Sequence, residues 1–184
     1  MKIPYTANPP PTSDDEESAI LQRVLERRGP GGLIPLDLAL LHSFPVADGW
    51  NTFLGSIRSR SSLPVDIREI AICRVATLNE AWFEWEHHAP ILAETGFSED
   101  MMEAVKSAEI PADDRLNELF NRKQVAVLKY TEAMTRTVKV PDAVFGEMKE
   151  FFSEKEIVEV TATVAAYNCV SRFLVALDVG EMNK

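Results

Sequence analysis

From Gly32 onward, apolar positions recur at spacings of three and four, few stretches alternate with a period of two, and β-branched runs are short. That is the signature of amphipathic helices rather than strands. It predicts helices near residues 35–42, 46–59, 64–79, 80–95, 98–107, 113–136, 141–151 and 154–178, preceded by a short one at 17–28. Local chemistry marks several ends. Ser153 with Glu156 forms a capping box, in which the Ser oxygen takes an orphan N–H and the Glu reaches back. Pro64 and Pro141 suit first helical turns, and Gly96 suits a helix end. Pro90 lies inside the 80–95 pattern and predicts a kink or a break, because it removes a helical donor. Arg28-Gly29-Pro30-Gly31-Gly32 interrupts the chain. Residues 1–16, with Pro9-Pro10-Pro11 and the acidic run from Asp14, bury little and read as a flexible tail. Residues 17–184 then read as one all-α domain.

Two of these helices are unusual. Along 64–79, Ile67, Ile70, Ala71, Ile72, Cys73, Val75, Ala76 and Leu78 surround the helix axis. A helix apolar on all sides is a buried one, so its Arg68, Glu69 and Arg74 require partners. The 154–178 helix is mostly apolar too, yet Thr161, Asn168 and Arg172 fall on one line, at i, i+7 and i+11. That stripe reads either as hydrogen-bonded packing or subunit interface, or as the wall of a pocket. Glu159 and Arg172 argue against a membrane span.

Composition narrows the function. The 184 residues are 46% hydrophobic, enough for a core, and the net charge is −10. An acidic chain is poorly suited to gripping nucleic-acid phosphates or anionic membranes. It does not exclude anionic substrates, which need only a local basic pocket. Two cysteines, Cys73 and Cys169, make neither a disulfide framework nor a zinc cluster nor a CxxC pair. Both read as core thiols in a reducing, cytoplasmic setting. The N-terminus shows no apolar stretch of the kind a signal peptide carries.

The densest chemistry lies between Asn79 and Pro90, which hold two of the three histidines, three carboxylates and three aromatics. Helical spacing puts Ala81, Glu84 and His88 on one face. Glu84 and His88, one turn apart, can touch. A carboxylate beside an imidazole orients the ring and favours its cation, which is the make-up of a general acid/base pair. A solvated ion pair is the plain alternative. A metal site is disfavoured, since the spacing is not HExxH and no further histidine follows. His87 points about 100° away from His88. His42 ends a short apolar helix, where it either caps the carbonyls or enters a pocket.

Several stretches together resemble the carboxymuconolactone decarboxylase family, which shares its fold with alkylhydroperoxidase D-like proteins. They are His42-Ser43-Phe44-Pro45 with Trp50; Leu63 through Arg68-Glu69-Ile70-Ala71-Ile72; Asn79; Glu84 through Pro90; Leu128-Lys129-Tyr130 with Thr135-Arg136-Thr137; and Tyr167 through Phe173. The peroxidase branch looks like Glu-x11-Cys-x-x-Cys-x3-His. Counted from Glu69, the two cysteine positions here are Ala81 and Glu84, and the histidine is His88. The register matches and both thiols are missing. Thiol-based peroxide reduction needs an attacking and a resolving thiol, so the resemblance points to the thiol-free branch.

What the resemblance implies is an all-α, alkylhydroperoxidase D-like fold, a homo-oligomer (trimer or hexamer), and no cofactor or metal. The implied reaction is decarboxylation of a small carboxylated lactone or β-keto-type acid. A related isomerase, cyclase or dehydratase, or a non-catalytic binding protein, are the alternatives. His88 is then the general acid/base, Glu84 orients it or shares its proton, and Glu69 is a buried relay. Arg172 or Arg68 would bind the substrate carboxylate. Trp82, Trp85 and Tyr130 would line the pocket, and His42 would enter it from another helix or subunit.

Overall fold

Helices make up the protein, and no strand occurs among the described residues. The computed structural model describes residues 1–183. The chain divides into two units: residues 1–61 with 176–182, and residues 62–175 with Asn183.

In the first unit, α1 (Asp15–Arg28), α2 (Pro35–Leu40) and α3 (Phe44–Ser59) bury Ile20, Val24, Leu40, Phe44, Leu54 and Ile57. Asp14 starts α1 by accepting the Glu17 N–H at 2.8 Å, and a 3₁₀ turn at Gly29–Gly31 fills the expected break. Asp37, 2% exposed, is neutralised by Arg27 and Arg28, whose nitrogens approach to 2.9 and 2.6 Å. The opening residues carry specific bonds where composition suggested a free tail. Lys2 N–H donates to the Leu177 carbonyl at 2.7 Å, Thr6 Oγ1 to the Leu38 carbonyl at 2.9 Å, and the Met1 amino group pairs with Glu181. Local polarity misleads here because these bonds use backbone groups, which composition does not register.

In the second unit run α4 (Val65–Leu78), α5 (Trp82–Ala93), α6 (Glu99–Lys106), α7 (Asp113–Leu119), α8 (Arg122–Thr137), α9 (Asp142–Phe151) and α10 (Glu154–Leu177, which ends in the first unit). α4 is the central helix, packed against α5, α6 and α8. Its residues from Ile70 to Ala76 are all buried, as the all-round apolar pattern requires. Arg74 is fully buried and finds its partners: Nε to Glu132 at 2.7 Å, and the guanidinium N–H groups to the carbonyls of Val105, Ser107 and Ala108 at 2.9, 2.5 and 3.3 Å.

Two expectations need correction. The helix foreseen over 113–136 is two helices, because Phe120 is extended and Asn121 begins a new one. The Asn121 side chain accepts the Gln124 N–H at 3.0 Å, and the Gln124 side chain accepts the Asn121 N–H at 3.1 Å. This reciprocal cap offers the backbone an alternative to continuing the helix. Pro90 does not end α5, which continues to Ala93. A proline this close to the C-terminus costs one ladder bond and leaves the last turn able to form. α10 is long and apolar enough to cross a membrane by length and composition, but Val164, Tyr167 and Leu174 are buried inside the protein. That is how a core helix behaves.

Candidate active site

The site is assembled from α4, α5 and α10. Glu69 sits on α4, 1% exposed. Its Oε1 accepts the Nε–H of Arg68 at 3.0 Å, and its Oε2 accepts from His88 Nδ1 at 2.7 Å. His88 projects from α5, one turn past Glu84, and is 9% exposed. On its far side Nε2 lies 3.2 Å from the Tyr167 hydroxyl of α10, with the two rings edge to face at 5.1 Å. A carboxylate only accepts hydrogen bonds, so Nδ1 carries the hydrogen; in the neutral ring Nε2 then accepts from Tyr167. The result is one line of polar groups, Arg68, Glu69, His88 and Tyr167, threaded through an apolar interior.

Glu84 takes a different place from the one its spacing suggests. It is 2% exposed; its Oε2 is bonded to Ser171 Oγ of α10 at 3.0 Å, and its Oε1 is buried without a partner. The group orienting His88 is therefore Glu69. Burial pushes the Glu84 carboxyl well above its ordinary range, against a smaller opposing effect of the Ser171 bond. Cys73, one turn beyond Glu69 on α4, is fully buried. Burial drives its thiol well up, and the charge of Glu69 adds to that.

The other candidates divide. Trp85 is buried and Trp82 half-buried, and Lys106 Nζ stands 5.4 and 6.0 Å from their ring centres. Tyr130 is buried elsewhere: its hydroxyl bonds Thr161 at 2.8 Å, and its ring leans on Phe145. Of the polar stripe on α10, Asn168 bridges Asn79 and Thr135 at 3.1 and 3.0 Å. Arg172 is exposed and bends back on its own helix, donating to the Asn168 carbonyl and Oδ1 at 3.0 and 2.5 Å. The stripe is thus hydrogen-bonded packing between helices. His42 belongs to the first unit, where Nε2 donates to the Pro4 carbonyl at 2.8 Å. His87 is turned back to the Phe83 carbonyl at 2.7 Å.

Sequence reasoning missed Tyr167 and Ser171 as site residues. A signal was present. They lie one turn apart on an otherwise apolar helix, and a buried Tyr hydroxyl needs a partner.

The backbone matches solved structures throughout. A peroxidase-related protein from Silicibacter sp. TM1040 aligns with a TM-score of 0.71 at 15% identity, covering 94% of this chain and 91% of that one. The fold is alkylhydroperoxidase D-like. An alkylhydroperoxidase AhpD core protein from Ralstonia eutropha JMP134 aligns at 0.70 and 18% identity, covering 90% and 88% of the two chains. The debrominase Bmp8 aligns at 0.70 and 14% identity, covering 90% and 85%. A cysteine-to-alanine variant of that debrominase was solved with 2,3,4-tribromopyrrole. No family model matches the sequence, and no curated protein matches it. At these identities the likeness establishes the fold and leaves the reaction to be argued from the site.

Proposed function

We propose that the protein is a cofactor-independent proton-transfer enzyme, a decarboxylase-like lyase acting on a small carboxylated lactone or β-keto-type acid. The observation that carries this reading is the buried Glu69–His88 pair at 2.7 Å, with Arg68 at its outer end. A debrominase on the same fold indicates that this helical framework accommodates catalysis.

The chemistry follows from the groups present. Arg68 uses Nε for Glu69, which leaves its terminal NH₂ groups for a substrate carboxylate or carbonyl oxygen. The carbon–carbon bond to the carboxylate breaks, carbon dioxide leaves, and the electron pair passes into the conjugated carbonyl as an enolate. A positioned cation stabilises that developing charge better in a dry site than in water. Protonated His88, held by Glu69 at Nδ1, then gives the Nε2 proton to carbon and regains one from solvent. The 3.2 Å contact from Tyr167 is long for an O–H···N bond; it is the one a reacting substrate atom replaces at Nε2. A group positioned in this way contributes ~10²–10⁴-fold in rate.

The test is product mass spectrometry on a panel of carboxylated lactones and β-keto acids, with wild type beside His88→Ala. Carbon dioxide loss by the wild type alone supports the proposal. An isomer or a loss of water, again from the wild type alone, would move the assignment to an isomerase or dehydratase using the same pair. Equal turnover by both proteins would remove His88 from the mechanism.

A further inference from the structure

We infer that Glu84 is held in the folded protein as a neutral carboxylic acid that donates to Ser171, and so acts as a positioning residue bracing the turn of α10 that presents Tyr167 to His88. The argument begins with proton counting. Ser171 Oγ lies 2.8 Å from the Tyr167 backbone carbonyl and 3.0 Å from Glu84 Oε2. A hydroxyl has one hydrogen, and a carbonyl can only accept. An ionised Glu84 would leave Ser171 dividing one hydrogen between two acceptors. A protonated Glu84 satisfies both contacts at full strength: Oε2–H donates to Ser171 Oγ, and Ser171 O–H donates to the Tyr167 carbonyl.

Burial points the same way. Glu84 is 2% exposed, and its Oε1 has no partner. An uncharged carbonyl oxygen left bare carries a modest cost; a bare buried carboxylate costs far more and takes up a proton instead. Among the described residues, the groups around it supply no compensating cation. α10 offers the hydroxyl of Ser171, and α4 offers the thiol of Cys73. On its own helix His88 is engaged with Glu69 and Tyr167. No attraction to a positive group enters the balance at Glu84, only burial and the Ser171 bond. The site therefore holds one carboxylate charge, on Glu69, and an uncharged acid one turn before the histidine. Tyr167 is fixed at both ends, by His88 at its hydroxyl and by the Glu84–Ser171 relay at its carbonyl.

The charge state does not depend on which reaction the site performs, so its test needs no turnover. Infrared spectra of the full chain at neutral pH, wild type against Glu84→Gln, read it directly. The expected difference is a protonated-carboxyl carbonyl stretch in the wild type that is missing from the variant. Spectra without that band would overturn the inference. Urea unfolding across pH gives a second reading. A neutral buried acid ionises more readily once unfolded, so wild-type stability falls as pH rises from the ordinary value of 4.5 toward the raised folded value. Gln keeps a donor for Ser171 and escapes that penalty. Glu84→Gln is expected to unfold at a higher urea midpoint at neutral pH, by a margin that grows as pH rises above the ordinary carboxyl value of 4.5. A variant that is less stable at neutral pH, by a deficit growing with pH, would show that Glu84 is a paired carboxylate.

Discussion

Glu69 and His88, 19 residues apart in the chain, meet between α4 and α5 with Oε2 and Nδ1 at 2.7 Å. The carboxylate fixes which ring nitrogen carries the hydrogen and leaves Nε2 as the acceptor facing Tyr167. Replacing Glu69 with Gln allows its amide NH₂ to face Nδ1 and favours the wrong tautomer. The expected result is a loss of about 10²–10⁴-fold in kcat on any substrate the wild type turns over, comparable to losing a positioned acid/base group. Imidazole nitrogen NMR should show the hydrogen of His88 moving from Nδ1 toward Nε2. An unchanged tautomer together with unchanged turnover would discount Glu69 as the orienting group.

Tyr167 touches the same ring from the opposite side. Tyr167→Phe removes one hydrogen bond from a buried pair and keeps the ring that packs edge to face with His88. A stability loss of about 0.5–1.5 kcal/mol is expected in urea. Turnover should fall with it, since the ring loses the contact that holds it from the Nε2 side. A loss of stability with unchanged turnover would make Tyr167 a packing residue.

The two cysteines should behave oppositely. Cys169 is exposed, whereas Cys73 is fully buried and its thiol is pushed well up by that burial. Thiolate is the reacting form, so an aromatic disulfide reagent should titrate one thiol quickly in the native protein and the second only on unfolding. Rapid reaction of Cys73 in the native state would reopen a thiol-based chemistry.

Arg74 holds the end of α6 and the segment after it through three backbone carbonyls and pairs with Glu132. Arg74→Met leaves the Val105 and Ser107 carbonyls and Glu132 Oε2 without this donor, while Arg136 still reaches the Ala108 carbonyl and Glu132 Oε1. Removing one partner of a buried pair costs about 3–5 kcal/mol, which urea unfolding would register. A change below about 1 kcal/mol, the scale of an exposed pair, would mean that water replaces the guanidinium.

The sequence by itself determined most of the helices and the burial of α4, and the family resemblance carried the Glu69–His88 register. The first two are written in short-range terms: a 3.6-residue apolar period and an all-round apolar helix. The sequence also carried the Ser153–Glu156 cap, in which Glu156 Oε2 accepts the Ser153 N–H at 2.8 Å and Ser153 Oγ accepts the Glu156 N–H at 3.3 Å. Only the tertiary structure decided which carboxylate serves His88. Spacing along α5 made Glu84 the natural partner, and an i, i+4 pair is the nearest acidic neighbour a helix offers. Packing α4 against α5 put Glu69 on Nδ1 instead, and α10 supplied Ser171 to Glu84 and Tyr167 to Nε2. The same holds for the stripe on α10, whose Thr161 and Asn168 are spoken for by Tyr130, Thr135 and Asn79. A periodic pattern tells which residues share a face. What that face meets depends on how distant segments pack, and in a buried site the few polar groups that packing brings within hydrogen-bonding distance decide which side chains pair.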